Sequence, residues 1–160
     1  MQKTIGSRRR HARGFTLLEL LVVTALIAIV LGLASLSLRG AEARQLREEA
    51  QRLAALVQLA SDASALDGRV LALSFSERNY EFLRRDRTGE WIAVTGDELL
   101  RKRTLAGELK ILSVSIEGKR LVFSPSGEPP VFSVTMGSAN AFATIAGEAD
   151  GTLTIQLPNS

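Results

Sequence analysis

The chain has 160 residues, of which 46% are hydrophobic and 23% are charged, and it contains no cysteine, which excludes disulfides and thiolate metal sites. Its formal charge of +3 is concentrated at one end, because five of the 20 basic residues lie within residues 1–14, which carry no acid. The rest of the chain has 15 basic and 17 acidic residues, so its charge gives no general argument for binding to nucleic acid.

The first predicted element is an apolar helix over residues 15–38, which contains a single acid, Glu19. A bilayer core about 30 Å thick needs roughly 20 apolar helical residues, so this segment is long enough to cross a membrane. The positive-inside rule places residues 1–14 in the cytoplasm and the rest of the chain in the periplasm, across the inner membrane. A cleaved secretory signal would have a shorter apolar core, and a plain anchor would leave the costly acid without a role.

The sequence GFTLLE (residues 14–19) follows the basic leader directly. It resembles the processing site of type IV prepilins and type II secretion prepseudopilins. The resemblance implies that prepilin peptidase, a membrane aspartyl peptidase, cuts between Gly14 and Phe15 and methylates the new amino group of Phe15. It also implies that Glu19 sets the register of stacked subunits, because its carboxylate can neutralise a neighbour's amino group in an apolar environment. In an isolated subunit, Glu19 can instead contact its own amino terminus.

An amphipathic helical stem is predicted next, over residues 39–67. Its apolar residues recur at three- and four-residue steps and form one stripe. These residues are Leu46, Ala50, Leu53, Val57 and Ala60. We expect the stripe to pack on the globular domain and Asp67-Gly68 to end the helix.

From residue 68 to residue 160 the apolar period becomes alternating, which predicts short strands separated by turns. The strands are predicted at 69–75, 79–85, 90–94, 109–116, 121–124, 130–136, 141–146 and 152–157. Residues 117–120 predict a hairpin turn, residues 147–151 predict a second one, and residues 95–107 predict a polar loop with room for one helical turn. The predicted fold is α+β, with a long N-terminal helix packed on antiparallel β-sheets.

Several further features extend over most of the chain. They are the Ala/Leu-rich stem at 46–69, YEFLRRD at 80–86, Trp91 after a turn, FSPSGEPPVFSV at 123–134 and ADGTLTIQL at 149–157. Together they resemble the minor pseudopilin H (GspH type) of type II secretion, in the type IV pilin-like superfamily. The resemblance implies a pilin-like fold and a subunit without chemistry of its own.

The same resemblance implies a position in the fibre and a set of partners. The subunit would link a tip complex of other minor pseudopilins to the shaft of the major pseudopilin. An inner-membrane assembly platform would extend the fibre and drive folded proteins across the outer membrane. Glu19, whose equivalent the tip pseudopilin characteristically lacks, favours a subunit that stacks beneath others.

The nearest alternative is a minor pilin of a type IV pilus that acts in assembly initiation or DNA uptake. The basic runs RRDR (84–87) and RKR (101–103) could contact phosphates. Acidic residues lie close to both runs, and the terminal sequence IQLPNS carries no basic tail, so nucleic acid is not the expected partner.

A membrane-anchored enzyme is the second alternative. The sequence contains no GxSxG, P-loop, HExxH or CxxC motif, and its only histidine, His11, lies in the leader. Glu148 and Asp150 offer too few oxygens for calcium and are typical of a hairpin turn. We therefore expect no enzymatic activity, no cofactor and no metal.

Overall fold

The computed structural model describes residues 17–118 and 120–157, except for the side chains of residues 33–39. The chain divides into two units, Met1–Arg39 and Gly40–Ser160. Within the described residues there is one helix, α1 (Leu17–Asp67), which is followed by strands only. The strands are β1 (Leu71–Phe75), β2 (Asn79–Arg85), β3 (Trp91–Ala93), β4 (Arg103–Thr104), β5 (Lys110–Ile116), β6 (Leu121–Phe123), β7 (Phe132–Gly137), β8 (Phe142–Gly147) and β9 (Leu153–Gln156).

The strands of the second unit form two sheets. The first sheet has the order β3-β2-β1-β6, with β4 also pairing with β2, and the second has the order β5-β7-β8-β9. Every strand pairing in the described chain is antiparallel. These sheets and the helix confirm the predicted α+β fold.

One face of the helical stem forms part of the core of the second unit. The predicted stripe is confirmed, because each of its five residues is at most 2% exposed. The stripe belongs to one apolar cluster with inward-facing residues of both sheets, such as Phe82, Phe123 and Val134. Full burial of each large apolar side chain stabilises the fold by about 1.5–3 kcal/mol.

The helix ends where Asp67-Gly68 predicts. Gly68 has a φ of +64°, a left-handed conformation that glycine adopts without strain. The buried hydroxyl of Ser64 lies 2.6 Å from the carbonyl oxygen of Arg69 and 3.0 Å from that of Phe123. The hydroxyl therefore links the end of the helix to β6.

The predicted hairpin around residues 117–120 is wrong. β5 pairs with β7 in the second sheet, whereas β6 pairs with β1 in the first. Leu121 and Phe123 lie opposite Leu73 and Leu71 in the core. The connection is thus a crossover between sheets, because alternation predicts strands but does not determine their partners.

The interpretation of residues 95–107 as a polar loop is only partly correct. The segment contains no helix in the described chain, and β4 pairs with Asn79 and Tyr80 of β2. Leu100 and Leu105 are buried in the core cluster. Two buried leucines therefore anchor a segment whose composition suggested solvent exposure.

The second predicted hairpin turn is confirmed between β8 and β9. The backbone amide of Gly151 donates to the carbonyl of Glu148 at 2.9 Å, and the amide of Glu148 donates to the carbonyl of Thr152 at 3.0 Å. The carboxylate of Asp150 accepts a hydrogen bond from the Thr152 amide at 2.8 Å. These bonds explain the acidic residues at this position as part of a turn.

Tyr80, the only tyrosine, is fully buried, and its hydroxyl has no hydrogen-bond partner in the described chain. Burial, followed by the negative charge of Glu49, raises the pKa of Tyr80 to about 12. The unfolded chain loses this proton near pH 10, so the contribution of Tyr80 to stability is present below that pH and is lost as the pH rises towards 12.

We expect Tyr80→Phe to lose less stability than the wild type as the pH rises from about 10 to about 12, because phenylalanine has no hydroxyl to ionise. At neutral pH the variant should be unchanged or more stable by about 1 kcal/mol, because it removes a buried hydroxyl without a partner. Urea unfolding at neutral pH and at about pH 11, with tyrosinate absorbance as a second readout, tests this prediction. A tyrosinate signal that develops near pH 10 in the folded protein would contradict it.

Candidate assembly site

Of the predicted processing and register residues, Glu19 is the one that lies within the described part of the chain. Gly14 and Phe15 lie outside the described residues, so cleavage and methylation there stay predictions. Glu19 lies in the first turn of α1. A carboxylate at this position is favoured by the partial positive charge at a helix N-terminus. The role of Glu19 in the register of stacked subunits stays a prediction.

The part of α1 on either side of Glu19, from Leu17 to Leu31, exposes apolar side chains all round the helix. Each large aliphatic residue concerned is at least 42% exposed, and the residues are Leu17, Leu18, Leu20, Leu21, Val22, Val23, Leu26, Ile27, Ile29, Val30 and Leu31. A period of 3.6 residues distributes these positions over the whole circumference of the helix. A helix that is apolar all round requires an apolar environment, which lipid or neighbouring helices can supply.

The membrane span was predicted over residues 15–38, which extends beyond the residues whose side chains are described. Among the residues that were described, no helix meets the length and hydropathy expected of a segment that crosses a bilayer.

The two basic runs of the sequence lie at different ends of β2. Arg103 in β4 is opposite Tyr80, whereas Arg85 lies five residues further along β2, or roughly 17 Å away. Arg103 is half-buried and contacts the carbonyl of Leu99 at 3.3 Å, while Arg101 is exposed. The structure therefore does not combine the runs into one basic surface.

The turn between β2 and β3 is organised by Asp86. Its carboxylate accepts hydrogen bonds from the hydroxyl and amide of Thr88 at 2.7 and 2.9 Å and from the amide of Glu90 at 2.9 Å. These bonds, chiefly the one from the Thr88 hydroxyl, lower the pKa of Asp86. The turn places Trp91 directly opposite Arg85.

Trp91 brings together two arginines that are distant in sequence. The guanidinium of Arg85 lies 5.2 Å from the centre of the indole ring, and that of Arg120 lies 5.9 Å from it. Both distances are typical of cation–π contacts. Trp91 and Arg85 were noted in the sequence as parts of motifs, but Arg120 was not singled out. No local sequence pattern relates the residue before β6 to the turn between β2 and β3.

The described residues contain no group of three or more histidine, aspartate or glutamate side chains placed to hold a metal ion. The absence of a cofactor, of a metal and of catalysis stays a prediction.

Comparison with known families decides the identity of this chain. Residues 49–156 match the family described as type II transport protein GspH, and this range covers the helical stem from residue 49 onward and strands β1 to β9. The chain belongs to the GspH family. The predicted resemblance to GspH-type minor pseudopilins is confirmed. In addition, residues 9–35 match the prokaryotic N-terminal methylation motif, a range that includes Gly14, Phe15 and Glu19.

Two curated relatives bear the name type II secretion system protein H. The protein from Aeromonas hydrophila is 35% identical over 113 residues, which is 69% of this chain and 61% of that protein. The protein from Pseudomonas aeruginosa is 41% identical over 90 residues, which is 55% of this chain and 52% of that protein. The matches thus span little more than half the length of these GspH-family relatives.

Solved structures share the fold. The minor pseudopilin EpsH of the Vibrio cholerae type 2 secretion system superposes with a TM-score of 0.62 at 18% identity, over 72% of this chain and 99% of that one. Escherichia coli GspH superposes with a TM-score of 0.58 at 21% identity, over 72% of this chain and 89% of that one. The predicted pilin-like fold is therefore confirmed for this member of the GspH family.

Proposed function

We propose that this chain is a minor pseudopilin of a type II secretion pseudopilus, where it links a tip complex to the major pseudopilin shaft. The observation that carries the proposal is the GspH-family match over residues 49–156. Its partners would be the other minor pseudopilins, the major pseudopilin and the inner-membrane assembly platform. Movement of this fibre would export folded proteins across the outer membrane.

The chain is proposed to enter the inner membrane as a single-pass protein. Its basic leader would stay in the cytoplasm, and the unit after residue 39 would lie in the periplasm. The apolar circumference of α1 supports this placement, since such a surface is unstable in water. In the fibre, the same apolar surface would pack against helices of neighbouring subunits.

Prepilin peptidase is proposed to cut between Gly14 and Phe15 and to methylate Phe15. The match of residues 9–35 to the methylation motif supports this step. The new amino group would be positively charged, and Glu19 supplies a negative charge near the start of the same helix. Pairing of these charges between subunits would fix their axial register, while apolar packing supplies most of the attraction.

Intact-mass measurement of the chain purified from membranes tests the processing step. We expect loss of residues 1–14 and the gain of one methyl group. Gly14→Val should block both changes, whereas Gly6→Val, a matched substitution within the leader, should block neither. A mature chain that still begins at Met1, or begins beyond Leu38, would contradict the proposal.

Deletion of the gene tests the role in secretion. Substrates of the type II system should accumulate in the periplasm, and expression of the intact chain should restore their export. Normal secretion combined with loss of a surface pilus or of DNA uptake would instead identify a type IV minor pilin.

A further inference from the structure

The outer face of the first sheet carries a second group of apolar residues, outside the core cluster. Ala72 lies opposite Leu83 on one side and Val122 on the other, and directly opposed residues share a face of the sheet. Ala72 is 0% exposed and Leu83 is 9% exposed, yet neither belongs to the core cluster beneath the helix. Val122 on the same face is 44% exposed.

Two arginines and the only tryptophan lie on this face. Arg85 and Trp91 are opposed to each other, two residues beyond Leu83 and Ala93. Both guanidiniums, those of Arg85 and Arg120, contact the ring of Trp91. We call Arg85, Trp91, Arg120 and Val122 the Trp91 patch.

Neither arginine of the Trp91 patch forms a close ion pair within the described chain. The ion pairs of the described second unit join Glu49 to Arg52 and Glu77 to Lys110. The Nε atom of Arg120 is also buried without a hydrogen-bond partner in the described chain. Two positive charges that share one aromatic ring repel each other, and a buried N–H donor without a partner is costly. An added carboxylate would relieve the repulsion between the two guanidiniums.

We propose that the Trp91 patch docks a carboxylate-bearing segment of another pseudopilin. Tryptophan and arginine are the residues most enriched where protein interfaces concentrate their binding energy. Arginine also presents a planar set of donors that matches a carboxylate. This inference rests on the proposed function, because it takes the partner to be another subunit of the same fibre.

The cleft beside the patch has room for the residues that flank such a carboxylate. It has a volume of about 720 Å³, and its lining includes Arg120, Val122, Pro129, Pro130 and Phe132 together with two acidic residues, Glu117 and Glu128. A loop or extended segment could therefore enter the cleft while its acidic side chain reaches the arginines. A cleft that combines apolar and polar lining residues beside a charged anchor is typical of specific protein interfaces.

The surroundings of the patch favour a protein over nucleic acid. Glu81 lies on the same face as Leu83, two residues away on β2, and exposed Glu90 adjoins Trp91. These acids would repel a continuous phosphate backbone that runs along the face, whereas a single carboxylate needs to contact only the two arginines. The chain beyond residue 14, with 15 basic and 17 acidic residues, adds no general attraction for a polyanion.

Because Trp91 is the only tryptophan, fluorotryptophan labelling of the full chain places one fluorine NMR signal in the patch. The labelled chain, in detergent, is titrated with each of the other full-length pseudopilins of the same organism and with a DNA duplex. We expect one pseudopilin to shift the signal. The double variant Arg85→Gln, Arg120→Gln should then raise the dissociation constant roughly tenfold.

The double variant Arg101→Gln, Lys102→Gln is the matched control, since it makes the same charge change at exposed positions and should not alter binding. Equal affinity of the patch variant and the wild type, or a signal shifted only by DNA, would overturn the patch while the proposed function stands. If no pseudopilin binds the wild-type chain by any measure, both proposals are overturned.

Discussion

Leu53→Ala is expected to lower the free energy of unfolding by about 2–5 kcal/mol. Leu53 is 0% exposed and lies in the middle of the apolar stripe of the stem. Truncation would remove buried methyl groups and leave a cavity between the helix and the sheets that only partly collapses. Because alanine favours helix, the loss reports on packing and not on the helix itself.

Leu66→Ala is the matched control on the same helix. Leu66 is 86% exposed, so its truncation should change the free energy of unfolding by no more than about 0.5 kcal/mol. Urea unfolding of the full chain in detergent measures both variants, with the fluorescence of Trp91 reporting on the β-domain. Equal effects of the two substitutions would contradict the packing of this face against the sheets.

The stem shows why part of this fold was predictable. A helix repeats every 3.6 residues, so its buried face appears in the sequence as a run such as Leu46, Ala50 and Leu53. The end of the helix at Gly68 was equally predictable, because it depends on the conformation of one residue. The strand positions follow in the same way from alternating side chains.

Strand partners and isolated buried residues were not predictable by such rules. β5 and β6 are neighbours in sequence but belong to different sheets. Leu121 and Phe123 of β6 pack into the core when this strand pairs with β1, and no local pattern indicates that pairing. Glu49 carries a charge and is not part of the apolar stripe, yet it is only 5% exposed and pairs with Arg52 at 2.5 Å. In both cases tertiary contacts outweigh the local pattern.

The processing motif and the Trp91 patch also differ in how far the sequence alone predicts them. The motif around Gly14, Phe15 and Glu19 is continuous, so a linear sequence is enough to indicate it. The Trp91 patch depends on the pairing of β2 with β3 and on the crossover that brings Arg120 to the same face. Only the folded chain places these residues together.

Glu19→Ala is expected to leave cleavage after Gly14 intact and to reduce incorporation of the processed chain into the fibre by roughly tenfold or more. Without the carboxylate, the positive amino group of a neighbouring subunit would have no opposite charge in an apolar environment. The apolar surface of α1 would still drive association, but without a defined axial register. Crosslinking to the other pseudopilins in membranes, normalised to the amount of processed chain, measures the loss.

Two further variants separate charge from other effects of the substitution. Glu19→Gln keeps the size and one acceptor oxygen of the side chain but removes its charge, so a similar loss would identify the negatively charged carboxylate as the required feature. Glu42→Ala makes the same chemical change on α1 beyond the apolar segment and should incorporate normally. Normal incorporation of Glu19→Ala would defeat the register role, because lipid and helix packing alone would then account for assembly. Loss of cleavage in that variant would instead place Glu19 in recognition by the peptidase.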